Sequence, residues 1–536
     1  MGGQGYDYVI VGAGSAGSVL ANRLSADPAH RVLLLEAGGQ DKSFWLKIPV
    51  GYFRTIYDER FSRIFQTEPC EGSGGRAIAW PRGRVLGGSS SINGLIFIRG
   101  QHEDFDEWER LGGTGWGSRA VLPHFRRIER YNGAASQYRG ALGELDVSDL
   151  RNDHPDCRAW IEAAVQYGLP RNPDFNGEST YGVGSYQLSI GRYWRASAAA
   201  AFLHPIRHRS NLTIVTHAQV SRILLRGAEA VGVQYIVGGQ VRTAHAEREV
   251  ILCAGAVQSP QLLQLSGIGE AALLKPLGIA PIIDLPGVGA NLQDHYQVRS
   301  ILRLKHKRSL NDDVRNPLKL AAMGLDWALR GRGPLTVGAG QVGGAAMTRY
   351  ARPGRPDIQF NVMPLSVDKP GEPLHSYSGF TTSFWQCHPQ SRGHVRIRSV
   401  DPFAQPEIAP NYLAAEIDRK TMVEGVKIIR EIHAQPAFRD LWEEEVLPGA
   451  SVQSDANILD FVRSSGGTVF HASGTCRIGT DAMAVVDPDL RVRGLSSLRI
   501  ADASVMPTVT SANTNAASLM IGEHAAARIL GTDAQS

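Results

Sequence analysis

The chain opens with short apolar runs separated by turn residues. Tyr8–Val11 is apolar throughout, the pattern of a strand buried on both faces of a parallel sheet. After a glycine-rich turn, Val19, Leu20, Arg23 and Leu24 fall at helical spacing until Asp27-Pro28 breaks the run. Arg31–Leu35 is a second buried strand, closed by Glu36. Strand, turn, helix and strand in this order predict a parallel βαβ unit with a right-handed crossover.

Later segments change character. Ile358–Val362 and His394–Ile397 read as strands, and Met422–Ile432 as an amphipathic helix. Near the C-terminus, Leu519, Met520, Ala526, Ile529 and Leu530 share helical spacing, with Asn515 placed as N-cap. Features of a nucleotide-binding domain recur around residues 80–100, 210–295 and 465–530. The expected fold is α/β. A Rossmann-like domain with a parallel sheet takes residues 1–150, 210–300 and 465–536. An inserted α+β substrate domain with an antiparallel sheet takes residues 151–209 and 301–464.

Composition removes several function classes. A chain of 536 residues, 43% hydrophobic and 20% charged, is an ordinary globular protein too long for one small core. The net charge of +4 is spread among acids, and without a basic face no nucleic-acid partner is expected. Five scattered cysteines (Cys70, Cys157, Cys253, Cys387, Cys476) form no CxxC pair, so neither a disulfide framework nor a metal site is expected. Residues 1–5 lead straight into a strand, without the charged and apolar regions of a secretory signal. Gly2 would suit myristoylation, but Tyr6 stands where that motif needs Ser or Thr. No apolar run reaches membrane-spanning length. A cytoplasmic location is expected.

Three motifs carry candidate chemistry. GAGSAG supplies Gly12 for a tight turn, Gly14 for approach to a pyrophosphate and Gly17 for close helix–strand packing, with Ser15 opening the helix. The helix N-terminus offers free N–H groups and a positive dipole end to phosphates. Glu36, followed by Ala37, is placed to accept hydrogen bonds from a ribose diol. This fingerprint alone serves FAD and NAD alike. Residues 81–95, PRGRVLGGSSSINGL, form a loop whose small residues from Gly87 to Ser91, Gly88 and Ser89 among them, let the backbone lie against a planar or phosphorylated ligand and offer it hydroxyl donors. In GAVQSPQLLQLSGIG, residues 255–269, Ser259-Pro260 is expected to begin a helix that ends at Ser266-Gly267.

Together these blocks resemble the glucose–methanol–choline (GMC) oxidoreductases, whose two signatures match residues 81–95 and 255–269. LPGVGANLQDH (285–295), SRGHVRIRS with Asp401-Pro402, and the block from His471 to Glu523 also match, so the resemblance covers nearly the whole chain. The bacterial choline-dehydrogenase-like branch is the most similar. The resemblance implies FAD rather than NAD, and adds Val85, Asn93, Gly94, Val220, Asp502, Ala503 and Asn515 to the cofactor-binding set. Ile92 occupies the place where some members attach FAD through a His, which implies a non-covalent flavin. It assigns the catalytic base to His471 and the second active-site position, His in some members and Asn in others, to Asn513. Ala472 stands where the family usually has Pro, which could loosen the backbone beside the base. Phe470 and Trp385 are candidates to line an apolar substrate pocket. The implied reaction is oxidation of an alcohol, expected to be primary, to the aldehyde by hydride transfer to flavin N5. The acceptor would be dioxygen or a quinone- or dye-type oxidant. A cyanohydrin-type lyase on the same FAD scaffold and choline dehydrogenation specifically are the alternatives.

Overall fold

The apolar run of the first strand occupies the centre of a seven-stranded sheet. The computed structural model describes residues 5–369 and 371–532; Gly2, and the myristoylation reading with it, lies outside them. Across the sheet the strands run Leu212–Val215, Val32–Leu35, Tyr6–Val11, Gln240–Leu252, Glu229–Val237 and Gln219–Arg226. The first four are parallel. Gln240–Leu252 is 13 residues long and serves two sets of partners. Its beginning pairs antiparallel with Glu229–Val237, while its end pairs parallel with Tyr6–Val11 and Leu498–Ile500. Val9, Ile10, Leu34, Val250 and Ile251 are completely buried there, each contributing about 1.5–3 kcal/mol of transfer free energy. The helices Ser15–Leu24 and Thr514–Leu530 pack on each other, pinned by an Arg23–Glu523 ion pair at 2.8 Å.

A second, antiparallel sheet of six strands runs Val342–Ala346, Ile358–Met363, Gly379–Gln386, Tyr296–Leu304 and Trp442–Leu447, with Gly467–Thr468 pairing the start of Tyr296–Leu304. The helix Glu416–His433 covers the strand Gly379–Gln386 and is itself covered by Pro155–Tyr167 and Asp455–Ser465. The boundary expected between residues 300 and 301 therefore falls inside a strand of this second sheet. Gly467–Thr468, placed by sequence in the nucleotide-binding part, also pairs with it. Among the described residues, no helix is long and apolar enough to cross a membrane.

Two expected helix starts are corrected. The helix of the third motif begins at Gly255, so Pro260 lies inside it rather than at its first turn. Proline has no N–H to give the carbonyl four residues back, and that carbonyl belongs to Ala256. The Thr475 hydroxyl donates to the Ala256 carbonyl at 2.7 Å instead, so a side chain 219 residues away repairs the gap. The C-terminal helix begins at Thr514, which puts Asn513 rather than Asn515 at the cap position.

Candidate active site

One cavity of about 340 Å³ runs along the seam between the two sheets. It is lined by Gly12, Gly14, Ser15, Glu36, Ala37, Gly88, Ser89, Asn93, Gly94, Val220, Asp502, Ala503 and Asn515, and by Phe470, His471 and Asn513. Two of the expected cofactor residues are not part of its wall. Gly17 lies behind it, where an added Cβ would come 1.9 Å from the Gly12 carbonyl oxygen; its role is to let helix and strand touch. Val85 packs against Leu46 and Ile92.

The nucleotide end is built from backbone donors. The helix Ser15–Leu24 starts at Gly14 without a side-chain cap, so its first N–H groups are free to meet an anion. An added Cβ at Gly14 would meet nothing within 4 Å, leaving the open approach a pyrophosphate needs. Glu36 accepts the N–H groups of Ala13 at 2.9 Å and Gly38 at 2.8 Å, and burial raises its carboxyl to about 7. Asp502 accepts from the Gly255 N–H, the Ser259 hydroxyl and the Ser504 N–H. Beside the helix Ser15–Leu24, the helix Thr514–Leu530 likewise lacks a side-chain cap, and its Asn515 Oδ1 accepts the Ser15 hydroxyl at 2.7 Å. The Asn513 Oδ1 atom is buried without a partner among the described residues. Two adjoining free helix N-termini and an orphaned acceptor at the cap of the second fit a dinucleotide cofactor.

His471 and Asn513 meet farther along this cavity. The Asn513 amide, instead of capping its helix, lies with Nδ2 3.1 Å from His471 Nε2. Behind His471 stands a second imidazole, with His295 Nδ1 2.9 Å from His471 Nδ1. The hydrogen-bonding chain fixes the tautomers. His295 Nε2 lies 3.0 Å from the Cys387 carbonyl oxygen, which can only accept, so Nε2 carries the proton. Burial drives His295 down to about 3, so the ring is neutral and its Nδ1 is an acceptor. His471 Nδ1 must then be the donor between them. Its Nε2 keeps a lone pair, and it faces Asn513 and the cavity. Burial, then His295 and Arg82, hold His471 well below the usual histidine range. The result is a neutral imidazole with its basic nitrogen turned to the cavity.

The backbone carrying His471 is clamped. Phe470 has φ +67°, a left-handed conformation that costs an aromatic residue energy unless its surroundings hold it. The Phe470 N–H donates to the Thr468 hydroxyl at 2.6 Å, and the His471 N–H donates to Asp294 Oδ1 at 2.8 Å. Arg82 donates to the Phe470 carbonyl at 2.7 Å. Asp294 also accepts from the Thr468 and Tyr412 hydroxyls. Phe470 itself is half-buried and lines the cavity.

Trp385 does not line the cavity. It is fully buried, stacked on His295 at 6.0 Å and edge-on to His471 at 5.7 Å. The two imidazoles cover it, so it buttresses the base instead of meeting substrate. Residues that sequence reasoning passed over include His295, Asp294, Arg82, Gln297 and Arg299. Asp294-His295 closes the stretch LPGVGANLQDH, so a signal was present without a partner to give it meaning.

The chain is similar to proteins of known activity over almost its full length. Two family models described as GMC oxidoreductase match residues 6–297 and 389–522. The human protein named choline dehydrogenase, mitochondrial, is 42% identical over 99% of this chain and 90% of its own length. A Pseudomonas putida protein named alcohol dehydrogenase [acceptor] is 42% identical over 97% of this chain and 95% of its own length. The crystal structure of pyridoxine 4-oxidase from Mesorbium loti superposes with a TM-score of 0.89 at 32% identity, covering 98% of this chain and 99% of that one.

Proposed function

The chain belongs to the GMC oxidoreductase family, and from that premise we propose that His471 and Asn513 activate a primary alcohol for FAD-dependent oxidation to the aldehyde. Oxidation of a CH–OH donor with FAD is the activity of this family. FAD, when bound, supplies the two-electron acceptor for the hydride of the carbinol carbon. Gly12, Gly14, Ser15, Glu36, Gly88, Ser89, Asn93, Gly94, Val220, Asp502, Ala503 and Asn515 would hold it.

The observation that carries the reading is the fixed tautomer of His471. A carbinol carbon releases hydride readily only as its oxygen becomes an alkoxide, so a base must take the hydroxyl proton in the same event. His471 Nε2 is the lone-pair nitrogen facing the cavity. The proton lands there while Nδ1–H stays bonded to His295, so no rearrangement is needed. Asn513 donates from Nδ2 to the same substrate oxygen and fixes the angle of approach.

Ile92 is buried in the wall of the cavity against Leu46 and Val85. An alkyl side chain there offers no nucleophile, which supports a flavin held without a covalent bond. Acid precipitation should then release yellow cofactor into the supernatant. The acceptor that reoxidises the enzyme is dioxygen or a quinone- or dye-type oxidant, and peroxide formed during turnover separates the two. The test of the main reading is anaerobic mixing with a panel of primary alcohols. The flavin should bleach, and His471→Ala should slow bleaching by about two orders of magnitude or more with FAD still bound. Bleaching at the parental rate in that variant would remove His471 from the role, and a flavin that stays oxidised with every alcohol would point to lyase chemistry.

A further inference from the structure

Of the arginines that line the cavity, Arg82 clamps the base and Arg84 stands near Glu36 at the nucleotide end, which leaves Arg299 without a part in the proposed mechanism. Arg299 lies on the strand Tyr296–Leu304, four residues beyond His295, and lines the same cavity as His471. Its Nη1 donates to the carbonyl oxygens of Val367 at 3.3 Å and Asp368 at 2.9 Å. Among the described residues, Nε and Nη2 make no hydrogen bond to the protein and neither is a sealed, solvent-free atom. Tyr52, Tyr57, Asp368 and Glu372 lie close enough to act on the guanidinium, yet among the described residues no carboxylate comes within ion-pair distance. A guanidinium held by one nitrogen, with the other two left without a hydrogen bond and no carboxylate within ion-pair distance among the described residues, is costly to bury. It is also a preformed fork for an anion.

Its neighbours on the sheet point to the same ligand. Arg299 pairs directly with Ser383, and Ser383 with Asn361. Directly opposed residues share one sheet face, and all three line the cavity. Guanidinium, hydroxyl and carboxamide thus form one polar row across three strands. The acids that line the cavity are Glu36 and Asp502, and both are occupied by backbone N–H groups at the nucleotide end. Among the described residues, the side chains that line the substrate end include Arg82 and Arg299 and no carboxylate.

We infer that Arg299 anchors an anionic group of the substrate, so that the preferred substrate is an alcohol carrying a carboxylate at the end remote from its carbinol. This rests on the oxidation of alcohols proposed above and names the substrate class. Four residues of extended chain separate His295 from Arg299, about 13 Å of backbone. The acid and the carbinol therefore sit at opposite ends of a spacer, which excludes 2-hydroxy acids and favours hydroxymethylated aromatic acids or ω-hydroxy acids.

The test compares 4-(hydroxymethyl)benzoate with benzyl alcohol and choline, using the FAD-loaded full chain. Charge-assisted hydrogen bonds predict that the acid binds roughly 10- to 150-fold more tightly than benzyl alcohol. In Arg299→Met that ratio should collapse to about one, and Arg299→Lys should keep part of it. Binding is read from perturbation of flavin absorbance in a His471→Ala background, and reduction from anaerobic bleaching in the parent. A preference for the acid without bleaching by either alcohol would sink the oxidation reading and leave the anchor standing. Equal affinity for acid and neutral alcohol, a preference that survives in Arg299→Met, or tighter binding of choline than of the acid would overturn the anchor.

Discussion

Replacing His295 tests the tautomer argument directly. In His295→Leu the ring that accepts the His471 Nδ1–H is gone, and a buried N–H is left without a partner. An unsatisfied buried donor costs about 1–3 kcal/mol, and the bond is worth about 1.5–3 kcal/mol once His471 carries the substrate proton and becomes cationic. At about 1.36 kcal/mol per tenfold change, flavin reduction should slow roughly 10- to 150-fold. The pH profile should move as well. Burial is the main cause that holds His471 below its ordinary value; losing the neutral ring that accepts from its cation disfavours that cation further, so the acid limb of kcat/KM shifts downward. His295→Gln keeps an acceptor for Nδ1–H and a donor for the Cys387 carbonyl, and should recover most of the rate. The assay is anaerobic stopped-flow reduction with FAD content confirmed by absorbance. A further check is the double variant His295→Leu/His471→Ala, which should be no slower than His471→Ala alone, because His295 acts only through the base. Parental reduction in His295→Leu, or an equal loss in His295→Gln, would refute the reasoning.

Asn513→Ala removes the amide 3.1 Å from His471 Nε2, and reduction should fall about tenfold or more at unchanged FAD content; a loss confined to FAD binding would place Asn513 with the cofactor instead. Thr475→Val strands the Ala256 carbonyl freed by Pro260 and should lower stability by about 1–3 kcal/mol, read as a fall in the urea midpoint. Acid should destabilise the fold early. His295 and His433 are held near about 3 and His388 near about 4, all chiefly by burial. Each stays neutral in the folded chain while the unfolded chain takes up a proton below pH 6.5. Their contribution is complete above that pH and is lost downward, by up to about 1.4 kcal/mol per group per pH unit until the folded value is reached. A melting temperature unchanged between pH 7.5 and 5.5 at saturating FAD would contradict this.

What was legible in the sequence is what is made by contiguous backbone. GAGSAG and GGSSSIN work through main-chain N–H groups and the absence of side chains, so their residue types reveal them one segment at a time. The first βαβ unit was readable for the same reason: the strand expected at Tyr8–Val11 is found at Tyr6–Val11, and that expected at Arg31–Leu35 at Val32–Leu35. The helix expected at Met422–Ile432 extends to Glu416–His433, because an amphipathic stripe marks the buried turns and misses polar ends. Pro260 misled because proline is common in a first turn, and the donor that excuses it in a later one is Thr475, far along the chain. Trp385 misled because the rings that cover it, His295 and His471, lie far from it in sequence.

The base itself combines both situations. His471 could be found from its motif, yet nothing nearby in sequence says why it should be neutral or which nitrogen should be free. Those properties come from His295, 176 residues away, and from the Cys387 carbonyl, 92 residues from His295. A β-bridge between Gln293 and Ser473 draws the two stretches together, so the tautomer is a consequence of topology. The same bridge bears on Ala472, where the family usually has proline. A proline would stiffen the backbone beside the base by fixing one φ. Here Asp294, one residue from that bridge, holds the His471 N–H, while Thr468 and Arg82 hold the two polar groups of the left-handed Phe470. The rigidity a ring would supply is supplied by a buried carboxylate and its partners. The alanine therefore leaves the base in register, and its consequence is confined to the space that a pyrrolidine ring would otherwise fill.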